Sequence, residues 1–83
     1  MVAVGQLRRW TMPAGYASGF NSEHFLVVRE MGKFYPPGGR RGEEMVAHWE
    51  LLADGELLPG WSTTLLERES VPLSDEQAAA VAV

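Results

Sequence analysis

The sequence predicts a small all-β domain, a barrel of about five short strands with two long loops and a short C-terminal helix. Three observations carry this expectation. Gly and Pro make up 14 of 83 residues and fall in clusters that separate short apolar runs, as turns separate strands. The run from Met45 to Leu51 alternates apolar and polar residues at strand period. An Asp54-Gly55 pair stands between Leu51-Leu52 and Leu57-Leu58, and it favours a tight hairpin because both residues tolerate positive φ.

The first run, Val2 to Trp10, reads as a strand bent at Gly5. Leu7 and the stem of Arg9 share one face, Arg8 and Trp10 the other, and this mixed polarity suggests an edge. Thr11 to Glu23 contains Pro13, Gly15, Gly19, Asn21 and Ser22, a composition that forbids a helix interior or a central strand. Loops of about a dozen residues in a compact domain are usually functional. This one carries Tyr16 and Phe20. His24 to Glu30 has four apolar residues in succession and reads as a buried central strand that ends at Met31 and Gly32. Lys33 to Gly42 is the second open loop, with Phe34 and Tyr35 at its root, Pro36 and Pro37 favouring extended backbone, and Arg40 and Arg41 set between glycines.

In the alternating run, Met45, Ala47, Trp49 and Leu51 should face the core and Glu44, Val46, His48 and Glu50 the solvent. Pro59 and Gly60 should close the returning strand. Ser62 to Leu66 suits one helical turn capped by Ser62, and a last strand over roughly 67–73 would complete the barrel. Ser74 to Gln77 has the spacing of a capping box and leads into an alanine-rich end. The expected organisation is a barrel over 1–73 and a short helical or frayed tail over 74–83.

Eighty-three residues suffice for one domain, not two. With 46% hydrophobic and 22% charged residues the chain should fold. The lack of Cys excludes disulfides, thiolate metal sites and cysteine nucleophiles. No run reaches the roughly 20 apolar residues of a membrane span, and the first ten residues lack a signal-peptide core. The net charge of −4 disfavours generic nucleic-acid binding. That charge is unevenly spread. Residues 1–42 carry six basic and two acidic side chains, residues 43–83 one basic and nine acidic, so the halves are +4 and −8. Compensation between neighbouring strands or head-to-tail association of copies would each account for the split.

No constellation points to catalysis. Ser18, Ser22, Ser62, Thr63, Thr64 and Ser70 lack a nucleophile-elbow context. His48 shares its expected strand face with Glu44 and Glu50, but neither His24 nor His48 has ligand spacing with another strong donor, so a solvated face is the better reading. The run Gly38 to Glu43 lacks the register of a phosphate-binding loop and reads as a basic tip, its Arg40 and Arg41 free to contact phosphate or an acidic protein surface. No cofactor, catalytic or metal site is expected. Eight aromatic residues exceed what so small a core needs. Trp49 and Phe25 are core candidates, Trp10 and Trp61 belong at the barrel ends, and the loop rings with nearby arginines have the character of interface anchors.

The layout VGQLRRW, then FLVVRE, then VAHWELLADGE, then LLERESVPL resembles that of small phage-encoded SH3-like barrel proteins. Gly5, Leu7 and Arg9 match their opening strand, Leu26 to Val28 the second strand, Trp49 and Gly55 the hairpin, and Leu66 with Glu67 the closing element. The resemblance implies an SH3-like fold and a viral setting, in the virion or the host cytoplasm. The expected function is a non-enzymatic interaction module, an accessory decoration, cement or connector protein of a phage particle, binding itself or a capsid or tail protein and forming a homo-oligomer. Its expected partner-binding residues are Tyr16, Phe20, Phe34, Tyr35, Arg40 and Arg41. Two alternatives stand beside it: a nucleic-acid-binding barrel using Arg8, Arg9, Arg29 and Lys33, and an acidic inhibitor of a host nucleic-acid enzyme.

Overall fold

The computed structural model describes residues 1–11, 23–35 and 44–81. Tyr16, Phe20, Arg40 and Arg41 lie outside the described residues. Five strands, β1 (Leu7–Trp10), β2 (His24–Phe34), β3 (Val46–Ala53), β4 (Glu56–Ser62) and β5 (Ser70–Pro72), form one antiparallel sheet, with helix α1 (Thr63–Glu69) between the last two and α2 (Asp75–Ala79) after them. The order across the sheet is β4-β3-β2-β1-β5, so the first four strands form a meander and the fifth returns to the far side of the first. The all-β class is as expected. Helix α1 touches β3, β4 and β5. It thereby spans the gap between the two outermost strands, and its buried Leu66 seals the core.

The hairpin forms where the sequence places it. Asp54 has φ 52° and Gly55 φ 74°, the paired left-handed conformations that a two-residue turn needs to match strand twist. Ser62 caps α1, accepting a hydrogen bond from the Leu65 amide at 3.1 Å. Ser74 and Gln77 form the expected capping box at the start of α2.

Several boundaries differ from expectation. The first strand is internal, between β2 and β5, because the polar face that suggested an edge includes Arg8, which is buried. Gly5 instead supports a turn ahead of β1, with φ 84° and the Gln6 amide donating to the Ala3 carbonyl at 3.2 Å. Strand β2 does not stop at Met31 and Gly32 but continues to Phe34. Its register against β3 slips twice, so that Val28 and Met31 are extra residues. Such bulges bend a strand without ending it. Strand β4 likewise passes through Pro59 and Gly60, which together oppose the single residue Glu50, with Gly60 at φ 86°. Helix α1 takes Glu67 to Glu69 from the expected last strand, leaving β5 only three residues.

The core unites Val2, Trp10, Phe25, Val27, Trp49, Leu51, Ala53 and Leu66. Trp10, expected at a barrel end, is central to it. Its ring lies 4.6 Å from Phe25 and 5.3 Å from the partly buried Trp61, within the range of favourable aromatic pairs. Ala47, Trp49 and Leu51 face this core as expected. Met45 does not, being 53% exposed, and His48, expected in solvent, is buried. The Trp49 indole donates to Thr63 Oγ1 at 2.8 Å, and that hydroxyl donates to the Ala47 carbonyl at 2.8 Å. The relay fixes the start of α1 on β3.

Arg8 lies on the core face of β1 with only 2% of its surface exposed. Its Nε donates to Ser70 Oγ at 2.8 Å. Nη1 donates to Gln6 Oε1 at 2.7 Å and to the Met1 carbonyl at 3.3 Å, and Nη2 to the Ser70 and Leu66 carbonyls at 3.0 and 3.4 Å. All five N–H groups of the guanidinium are thus engaged. Burial pushes the Arg8 pKa down from its usual value, and the charge of Glu67 opposes that shift. Leu66 and Ser70 carry carbonyls at the C-terminal end of α1, where backbone acceptors lack helical partners and a cation is favoured.

Arg8→Lys should therefore lower the urea unfolding free energy by about 3 kcal/mol, since one ammonium cannot reach five fork-arranged acceptors. Arg9→Lys, on the exposed side of the same strand, should change it by less than about 0.5 kcal/mol. Equal effects would mean that the Arg8 bonds add no net stability.

Candidate interaction surface

Of the six residues expected to bind a partner, Phe34 and Tyr35 are described, and both are open to solvent, at 51% and 59% exposure. Phe34 closes β2 and pairs in register with Val46, the first residue of β3. Met45 immediately precedes Val46 and is also exposed. The ends of two adjacent strands therefore present three large apolar side chains, Phe34, Tyr35 and Met45. Sequence alone assigned Met45 to the core, because strand alternation was extended one residue beyond the strand.

Local packing holds this end in place. The Phe34 ring stands edge-on to the His48 imidazole, at 5.4 Å between centroids and 90° between planes. It also leans over Gly32, where an added Cβ would come 3.3 Å from Phe34 Cε2 and where φ is 131°. Only glycine combines that backbone with that clearance. His48 Nδ1 donates to the Val46 carbonyl at 3.0 Å. The imidazole is thus a packing element beneath Phe34. Glu50, two residues along the same face, pairs with Arg29 at 2.9 Å. Among the described residues no three His, Asp or Glu side chains are grouped to hold a metal ion.

The cations proposed for nucleic acid are separated. Arg8 faces the core, Arg29 is held by Glu50, and Arg9 and Lys33 lie exposed on different strands. The Arg29–Glu50 pair links the basic and acidic halves of the sequence across neighbouring strands, one instance of the expected internal compensation.

A second apolar surface escaped the sequence reading. Leu7 pairs with Leu26, Leu26 with Leu52 and Leu52 with Leu57, and the Leu73 amide, just past β5, donates to the Leu7 carbonyl at 2.9 Å. Residues directly opposite one another share a face. A row of leucines thus runs across the sheet on the side away from the core, none of its members belonging to the core cluster. Four are partly buried, and Leu57 is 58% exposed. The outermost strands are poor sites for adding a further strand. Strand β4 carries Pro59 in its bulge, and the three-residue β5 ends at Pro72.

No helix among the described residues is long and apolar enough to cross a membrane. No protein-family model matches the chain, and no curated protein or solved structure is significantly similar to it.

If the Phe34 end serves contact and not stability, Phe34→Ser combined with Tyr35→Ser should cost only about 1 kcal/mol in urea denaturation. Phe25→Ala should cost about 3–5 kcal/mol. A double-variant loss as large as that of Phe25→Ala would place the two rings among the structural supports.

Proposed function

We propose that this chain is a non-enzymatic protein-interaction module acting as an accessory structural component of a phage particle, such as a decoration, cement or connector protein. The observation that supports contact with protein is the exposed Phe34, Tyr35 and Met45 group, presented on paired strand ends and held by Gly32 and His48. Large apolar side chains on a stiff support are typical of interface centres, because little conformational entropy is lost when they are covered. The phage setting rests on the sequence resemblance described above. Tyr16, Phe20, Arg40 and Arg41 extend the proposed contact surface in sequence.

The burial of Arg8 and the pairing of Arg29 weaken the nucleic-acid alternative, whose affinity would come from accessible cations. The inhibitor alternative needs acids aligned on one surface. Asp54 and Glu56 lie at the β3–β4 hairpin, Glu67 and Glu69 on α1, and Asp75 and Glu76 on α2, so the acids are divided among separate elements.

The test is a photo-reactive benzoylphenylalanine placed at position 34 or 35, with the exposed position 64 of α1 as control, in cells producing the particle. The expected result is a covalent adduct with a capsid or tail protein from positions 34 and 35 only. Adducts with nucleic acid, equal adducts from all three positions, or none would overturn the reading.

A further inference from the structure

The leucine row, open to solvent at Leu57, and the segment after β5, of which no residue is fully buried, are complementary in chemistry. Helix α1 lies on the core side of the sheet, through Leu66. Helix α2 buries none of its own residues. Ala78 of α2 and Val81 after it are only partly buried, so most of that segment's surface stays open. A five-residue helix gains little from its own hydrogen bonds, since nucleation costs most of what so short a run returns. What α2 offers is a pair of carboxylates, Asp75 and Glu76, in its first turn, followed by the apolar residues Ala78, Ala79, Ala80 and Val81. The sheet offers the reverse order of the same two chemistries. Arg9 is exposed on β1 two residues from Leu7, hence on the leucine side. Among the described residues it has no ion pair, and neither Asp75 nor Glu76 has one.

We propose that α2 of one copy of this chain docks across the leucine row of a second copy, with Asp75 and Glu76 of the first meeting Arg9 of the second and the alanine and valine side chains covering Leu26 and Leu52. The dimensions agree. The five residues of α2 extend about 7.5 Å and the turn through Val81 carries the segment further, while two strand spacings, from β1 to β3, measure about 10 Å. The contact joins two different surfaces of one chain, so it is heterologous and generates a ring or a filament according to whether its rotation closes. The β4 and β5 edges are blunted by Pro59 and Pro72 against addition of a further strand. This surface is separate from the Phe34 end, so the interaction-module reading can stand or fall without it.

The experiment is sedimentation velocity on the full chain over a concentration series. The native chain should sediment as an oligomer at high concentration. Arg9→Glu alone should be monomeric, as should Asp75→Lys with Glu76→Lys. Mixing those two variants should restore the native oligomer, because the altered helix of one then matches the altered sheet of the other while the unaltered helix and sheet match as before. Leu57→Glu, directly opposite Leu52 and so at the border of the contact, should also weaken the oligomer, and it does so without altering the helix. Phe34→Ser should leave the mass unchanged. Circular dichroism confirms that each variant is folded. A native chain monomeric throughout would overturn the proposal. So would an oligomer that survives Arg9→Glu and Leu57→Glu, or one lost through Phe34→Ser, which would move self-association to the other surface. A mixture that stays monomeric would overturn the intermolecular contact and leave α2 on its own sheet.

Discussion

Burying the Arg8 guanidinium takes a permanent charge out of water, so each of its N–H groups must find an oxygen. The surrounding backbone is arranged to supply them. The acceptors come from the residues before β1, from the end of α1 and from the start of β5. These segments are distant in sequence and must converge before the side chain can be satisfied. Ser70 is central to the convergence. Its hydroxyl accepts from Arg8 and donates to the Leu66 carbonyl, and its own carbonyl accepts from Arg8. The guanidinium thus closes the C-terminal end of α1 and fixes the point where helix gives way to strand.

That closure has consequences for the rest of the sheet. With β5 held against β1, Pro72 opposes Arg8 and Val71 opposes Arg9, and the chain is set so that Leu73 falls beside Leu7. Strand pairing admits no half-steps, since a slip of one residue moves every side chain to the opposite face. The register that buries Arg8, Phe25 and Leu51 on one side, with Leu58 packed beside them, therefore aligns the leucines on the other. The two bulges in β2 and the one in β4 lie beyond this aligned region. They give the sheet its second apolar site, by carrying β2 on to Phe34 and bringing that ring over Gly32 and His48.

Much of the local structure was legible because its causes are local. Asp54-Gly55 fixes its turn within two residues, and Ser62 and Ser74 fix helix starts by bonds to amides three residues away. The alternation of Ala47, Trp49 and Leu51 identified the inward face of β3. The failures share a different origin. Arg8 read as a surface cation because its acceptors Leu66 and Ser70 are 58 and 62 residues away. The leucine row is a property of register between strands, and no single strand displays it. His48 read as solvent-facing because its cover, Phe34, was placed in a loop, and Gly32 read as a strand end because glycine signals a bulge and a terminus alike. Of the candidate contact residues, Phe34 and Tyr35 were found as aromatic side chains beyond the needs of the core, while Met45 was missed where a strand boundary was set too early.

The joining of β1, α1 and β5 depends on the buried, fully engaged guanidinium of Arg8. The direct measurement is solvent exchange of the Arg8 side-chain Nε–H, followed by nuclear magnetic resonance beside the backbone amides of Phe25 and Leu51. The predicted result is an Nε–H exchanging slowly, as slowly as the core amides, because only unfolding that separates Arg8 from Ser70 would expose it. An Nε–H that exchanges as freely as that of Arg9, while the core amides stay protected, would contradict the account.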